Sequence, residues 1–272
     1  MKLPITITAA VLAAGLTIGP ASADKFDDII ASGVLRCAVT LDFPPMGSRD
    51  ANNEPIGFDV DTCHDLGAAL GVTVEIVETP FPDRIPALIS GRADVGVAST
   101  SDTLERAKSI GFSIPYFAFT NVVLTKGDSG IDSYEDLAGK RLGSVAGVFE
   151  AIALEEDFNT WNAGGSFRTY QSQADVFLAL NQGQIDATVV TSTVAAATVA
   201  SGNFEGFRIA GDAPYLVDYV ALIALREEYG LLRYLDLFVH QQSRTGRYQE
   251  LFEKWVGGGA EVPDLTFPGV YR

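Results

Sequence analysis

The stretch VASTSDTLERAKSIGFSIPY, Val97 to Tyr116, places four hydroxyl side chains, Ser99, Thr100, Ser101 and Thr103, just ahead of a single arginine, Arg106. A guanidinium can grip a carboxylate through two parallel hydrogen bonds, a geometry lysine lacks. Val95 and Val97 read as the end of a strand that stops at Ala98-Ser99. A helix is expected to start near Asp102 or Thr103, with Glu105 in a capping-box spacing after Asp102. Where a strand feeds a helix in this way, free amides, hydroxyls and the positive end of the helix dipole converge on an anion. The blander reading, an exposed i, i+4 pair of Arg106 with Asp102, is worth only about 0.3–0.5 kcal/mol. It also leaves the hydroxyl cluster unexplained, so a small carboxylate ligand is the favoured reading.

Other chemistries lack their parts. The chain has no phosphate-binding G-x-x-x-x-G-K-[ST] loop, no G-x-G-x-x-G turn, no H-E-x-x-H and no G-x-S-x-G elbow. Its two histidines, His64 and His240, stand far apart in helical runs, which gives neither a metal site nor a histidine-based triad. No cofactor, no metal and no catalysis are expected. The sequence carries 19 Lys and Arg against 35 Asp and Glu, a formal net charge of −16. Such a surface repels phosphate backbones and excludes nucleic acid as a partner.

The first residues, MKLPITITAAVLAAGLTIGPASADKF, combine one lysine, an apolar run from Leu3 to Ile18 and the small residues Ala21-Ser22-Ala23. This is the pattern of a secretory leader cleaved after Ala23, and the run is short for a membrane span. Export would place Cys37 and Cys63 where a disulfide can persist. Cys37 lies in an apolar strand-like run, and Cys63 shares a helical face with Val60, Gly67 and Leu70. Two buried small apolar residues are the favoured reading, and a bridge stays open. Two cysteines cannot form a disulfide framework for 272 residues, so a hydrophobic core must carry the stability.

The elements that must position the arginine alternate. VLRCAVTL, VTVEIVE and ADVGVAS read as strands, and DVDTCHDLGAAL and DRIPALIS as helices, which argues an α/β layer structure with mostly parallel sheets. The pattern A-L-x-x-G-x-x-D-x-x-V then occurs twice, at Ala87–Val97 and Ala179–Val189. Each copy reads as a helix end, a glycine cap and a buried strand, so two similar lobes are expected. YFAFTNVVLTKGDSG and YLVDYVALIAL would cross between the lobes as a two-stranded hinge. After them, Leu231, Leu232, Leu235, Phe238 and Val239 fall at helical spacing, followed by a break at Thr245-Gly246 and a second short helix through Tyr248, Leu251, Phe252 and Trp255.

Four segments together resemble the family 3 periplasmic solute-binding proteins, the polar amino-acid receptors of ABC importers. They are IGFDVDTCHDLGAALG (Ile56 to Gly71), RIPALISGRADV (Arg84 to Val95), STSDTLERA with the following FSIPY, and DLAGKRLGSVAG (Asp136 to Gly147). The resemblance implies two α/β lobes, residues 24–117 with 219–272 and residues 118–218, closing on a ligand about two hinge strands. It implies a monomeric periplasmic receptor that delivers an amino acid or related small carboxylate to an inner-membrane permease. Arg106 would hold the ligand carboxylate with Ser99 and Ser101, while Phe43 and Phe81 would line the cleft.

The second lobe departs from the family pattern in two places. Val148 and Phe149 stand where a Ser/Thr pair is common, and Thr191 stands where many members carry the aspartate that binds the ligand ammonium. An ammonium buried without a counter-charge is costly, so either another carboxylate replaces it, Asp218 first and Glu150 second, or the ligand is not an ordinary α-amino acid. Asp42 and the Asp59/Asp61 pair read separately as helix-start carboxylates. The rival reading is an enzyme similar to periplasmic cyclohexadienyl dehydratases, with Glu150 or Asp218 as a buried general acid.

Overall fold

The computed structural model describes residues 24–257 and Leu265; the expected leader, residues 1–23, lies outside them. The chain opens with α1 (Lys25–Ser32), β1 (Val34–Val39), a ribbon of β2 (Ser48–Arg49) and β3 (Pro55–Ile56), α2 (Phe58–Leu70), β4 (Thr73–Glu78), α3 (Arg84–Ile89), β5 (Val95–Ser101) and β6 (Ile110–Phe119). It continues through β7 (Asn121–Lys126), β8 (Arg141–Val145), α4 (Phe149–Trp161), β9 (Ser166–Tyr170), α5 (Gln173–Asn181), β10 (Ala187–Thr191), α6 (Ser192–Ser201) and β11 (Phe207–Asp212). It then returns as β12 (Asp218–Leu225), α7 (Tyr229–Thr245) and α8 (Arg247–Trp255).

The strands form two five-stranded sheets, ordered β4-β1-β5-β12-β6 and β11-β7-β10-β8-β9, each flanked by helices in a two-lobe α/β fold. Both sheets are mixed. In the first, β4, β1 and β5 run parallel while β12 is antiparallel to both β5 and β6. In the second, β10, β8 and β9 run parallel while β7 is antiparallel to both β10 and β11. The antiparallel strands are those that carry the chain between the sheets, out from β6 to β7 and back from β11 to β12. The alternation of helix and strand signalled the parallel half only.

Local sequence explains where the elements begin and end. β5, VGVASTS, is buried at every position, as a central strand covered on both faces must be. α2 starts after Gly57, whose φ is 137° and whose missing Cβ would stand 2.2 Å from the Met46 carbonyl oxygen. No other residue fits that approach. α7 buries Leu231, Leu235, Phe238 and Val239 along one stripe and stops at Gly246, φ 84°, as the spacing predicts. α8 then turns Tyr248, Leu251 and Phe252 inward. There Phe252 stacks on Phe117 at 5.8 Å between ring centroids.

The sequence repeat is also a structural repeat. Gly91 and Gly183 cap their helices at φ 69° and 68°. Asp94 accepts hydrogen bonds from the backbone and guanidinium of Arg36, which also donates to the Gly91 carbonyl. Asp186 does the same with Arg141, which donates to the Gly183 carbonyl. One arginine from a neighbouring parallel strand thus ties down the helix-to-strand joint in each lobe.

The favoured reading of Cys37 and Cys63 as two unlinked apolar residues is corrected by the fold. α2 lies across β1, both side chains are fully buried and face each other, and they form a disulfide. Helix-face periodicity identified their burial but not their mutual approach, which depends on how α2 crosses the sheet.

Candidate ligand-binding site

The carboxyl end of β5 carries Ser99 and Ser101 to the seam between the sheets, but the expected helix after it does not form. Asp102 to Glu105 make turns, and Arg106–Lys108 is a single 3₁₀ turn. Only eight residues separate the end of β5 from the start of β6, and β6 must return to pair with β12. No helix dipole of useful length stands behind Arg106, so its own charge and the backbone of the turn carry the anion chemistry.

Arg106 is half-buried and does not turn outward to Asp102. Its Nη1 donates to the Ser101 carbonyl at 3.0 Å, and its Nη2 reaches the second lobe to donate to the Gly147 carbonyl at 2.7 Å. Burial is the main cause lowering its pKa, opposed by Asp218 and Glu150. Arg84 meets it there. Only 3 % exposed, Arg84 donates to the carbonyls of Phe81, Ala98 and Ser99, and through Nη2 to the same Gly147 oxygen at 2.8 Å. Burial first, and then Arg106, bring its pKa down to about 9, so it remains a cation at neutral pH. Gly147 sits at φ 81° in the loop before α4, a left-handed conformation that glycine adopts without strain.

Beside Arg84 lies a small cavity of about 10 Å³, room for about one water molecule. Phe43, Phe81 and Phe119 form its aromatic wall, with the Phe43 ring edge-on to Phe81 at 4.9 Å and to Phe119 at 6.0 Å. Arg84 lies over the Phe81 ring at 4.7 Å. Val148, Phe149 and Glu150 close the cavity from the first turn of α4, an end without a side-chain cap. Thr191 contributes from the end of β10, its hydroxyl buried without a hydrogen-bond partner. Ser99, Ser101 and Asp218 complete the lining.

Two acids balance the arginines. Asp218, 8 % exposed at the start of β12, accepts a hydrogen bond from Ser101 Oγ at 3.1 Å. Burial raises its pKa to about 6, against the pull of Ser101, Arg106 and Arg84. Glu150 is buried and raised to about 7, again by burial first and then by Asp218. Behind the cavity Asp59 is fully buried and raised to about 7 by desolvation, while Tyr116 and Ser99 hydrogen-bond to it.

The structure therefore brings Ser99, Ser101, Phe43, Phe81, Val148, Phe149, Thr191 and Asp218 to one cavity, with Arg106 joining Arg84 at its Gly147 edge. Arg84 and Phe119 were missed. A lone cation opening the otherwise apolar RIPALI helix was the available signal for Arg84. Phe119 had none beyond its place at the end of a crossing strand. Asp42 serves a helix start, but across the seam: it accepts from the Gln173 amide of α5 at 2.7 Å. Asp61 faces outward to Lys254 and to the Trp255 indole. Among the described residues no group of three or more His, Cys, Asp or Glu is placed to hold a metal.

Comparisons with known proteins agree with this fold. The family of bacterial extracellular solute-binding proteins, family 3, matches residues 35–258. ABC transporter arginine-binding protein 1 of Escherichia coli is 25% identical over 248 residues, 90% of this chain and 96% of that one. Cyclohexadienyl dehydratase of Pseudomonas aeruginosa is 25% identical over 239 residues, 87% of each. A crystal structure of a mutant of ArgBP from T. maritima superposes with a TM-score of 0.77 at 30% identity, covering 85% of this chain and 98% of that one.

Proposed function

Because the chain belongs to the bacterial extracellular solute-binding proteins of family 3, we propose that its inter-lobe cavity captures an amino acid or closely related small carboxylate and delivers it to an ABC permease in the inner membrane. The observation that carries this reading is the meeting of Arg84 and Arg106 on one carbonyl of the opposite lobe, with backbone carbonyls and no carboxylate among the described residues accepting from either guanidinium. A ligand carboxylate is a stronger acceptor than that carbonyl, because both partners of the bond are then charged. It would replace Gly147 as the acceptor for Arg106. Asp218 would face the ligand ammonium in place of the aspartate that Thr191 does not supply. Phe43, Phe81, Phe119, Val148 and Phe149 would bury the apolar part.

The protein works as a clamp. Lobe 1, residues 24–117 with 219–272, and lobe 2, residues 118–218, open about the two crossings to admit the solute. Closure is favoured only by as much as the solute binds the closed form better than the open one. The mature protein is a periplasmic monomer released by cleavage after Ala23. A thermal-shift screen against amino acids, amines, opines and dicarboxylates tests the assignment. A true ligand at 100 times its Kd stabilises the folded form by about 2.7 kcal/mol; no shift with any carboxylate would remove the receptor reading.

One observation favours an enzymatic alternative. Glu150 is a buried acid whose pKa is raised to about 7, as a general acid on a bound carboxylate substrate requires. Turnover of prephenate or arogenate by the purified protein, lost in Glu150→Gln, would establish that reading. A receptor shows none.

A further inference from the structure

Every polar atom of Ser99 is committed. Its amide donates to the Tyr116 hydroxyl oxygen at 3.1 Å, its carbonyl accepts from Arg84, and its Oγ lies 3.1 Å from Asp59 Oδ2. The Tyr116 hydroxyl in turn stands 2.7 Å from Asp59 Oδ1. The directions of these bonds follow from the chemistry of the groups. The Ser99 amide can only donate, so the Tyr116 oxygen accepts there and its single hydrogen goes to Asp59. Once ionised, the Asp59 carboxylate can only accept, so the Ser99 hydroxyl hydrogen then also points to Asp59 and away from the cavity that Ser99 lines. The arrangement is held firmly enough to keep Ser99 at φ 47°, a region non-glycine residues seldom occupy.

We propose that Asp59 is a positioning residue for ligand binding: by holding the Ser99 hydroxyl proton it makes Ser99 face the cleft as a hydrogen-bond acceptor, so that the cleft selects a solute presenting an N–H donor at that point. The proposal rests on the receptor reading above and reverses the expectation that the Ser99 hydroxyl would donate to the ligand carboxylate. Donation to the carboxylate is left to the guanidiniums. The charged and titratable groups facing Asp59 are Arg84 from α3 and Tyr116 from β6. Arg84 favours the ionised carboxylate that the arrangement needs, and burial opposes it.

The test compares the full chain with Asp59→Asn. Asparagine keeps the shape: its Oδ1 still accepts from Tyr116, while its Nδ2 donates to Ser99 Oγ and turns the serine hydrogen into the cleft. The probes are the twenty L-amino acids and their deaminated carboxylic acids, measured by calorimetry at pH 8. For the amino acid bound best, the preference over its deaminated counterpart should fall about tenfold in the variant, the value of one reversed hydrogen bond to a charged group. Equal weakening of both members of the pair identifies a merely structural role and overturns the proposal, as does an unchanged preference. If Asp59→Asn does not fold, Ser99→Ala must lower the same preference, and failure to do so is equally decisive against it. If no probe binds the parent protein, the receptor reading fails by itself. The Asp59 proposal is then decided by ¹³C NMR titration of its carboxyl in the ligand-free protein: Ser99→Ala must raise its midpoint, and an unmoved midpoint overturns it.

Discussion

Replacing Arg106 with alanine removes a guanidinium that spans the seam through two bonds, to the Ser101 carbonyl at 3.0 Å and to the Gly147 carbonyl at 2.7 Å. The effect on ligand affinity can be worked from that geometry. Two charge-assisted hydrogen bonds to a ligand carboxylate are worth about 1.5–3 kcal/mol each. The ligand must, however, displace a carbonyl that already satisfies one of those donors, which offsets roughly half the gain. The net loss in Arg106→Ala is then about 1.5–3 kcal/mol, a rise in Kd of roughly 10- to 150-fold. Arg106 is half-buried at the rim, so urea denaturation of the ligand-free variant should show a change of only about 1 kcal/mol. Isothermal titration calorimetry with the ligand found by thermal shift gives the answer directly. An unchanged Kd would refute the reasoning, and so would a loss of affinity fully explained by unfolding.

Further outcomes follow from the buried acids and the disulfide. Asp218→Asn should weaken binding of an amino acid by tenfold or more, because a buried ammonium loses its counter-charge, yet spare the deaminated analogue; equal losses measured by calorimetry would count against that role. Asp59, Glu150 and Asp218 hold their protons to about pH 7, 7 and 6 when folded, well above the unfolded values of about 4. The folded state therefore binds more protons between those limits. The stability these groups contribute is fully present below about pH 4 and is lost as the pH rises towards 7. Chemical denaturation of the ligand-free protein should show that decline, and Glu150→Gln should flatten it. Reduction of the Cys37–Cys63 bridge, which closes a separation of 26 residues, should cost about 3.5 kcal/mol by loop-closure entropy; an unchanged urea midpoint under reductant would contradict this.

What could be read from the sequence was the chemistry carried by short segments. Ser99, Ser101 and Arg106 stand within eight positions of one another, and a single strand end delivers them together. The twin A-L-x-x-G-x-x-D-x-x-V segments gave the second lobe because each is a local joint with its own glycine cap. Interactions set by distant packing were not readable. The Arg84 guanidinium finds its acceptors on Phe81, Ala98, Ser99 and Gly147, and only the last of these crosses the seam. Asp42 caps a helix in the other lobe, and Asp59 meets Tyr116 through the stacking of α2 on the sheet. The missing helix after β5 has a simpler cause: capping signals at Asp102 and Glu105 were present, but the chain had to reach β6 too soon to propagate a helix.

The place of β12 in its sheet bears on how the polypeptide matures. β12 lies between β5 and β6, yet among the described residues it is the last strand to be synthesised, after every strand of the other sheet. A nascent chain can finish the sheet of β7 to β11 from one continuous stretch while the earlier strands still wait for their middle member. The Asp218 carboxylate enters with that same late strand, so the cleft gains its counter-charge in the step that seals the older lobe, and a half-made polypeptide has no competent cleft with which to sequester cargo.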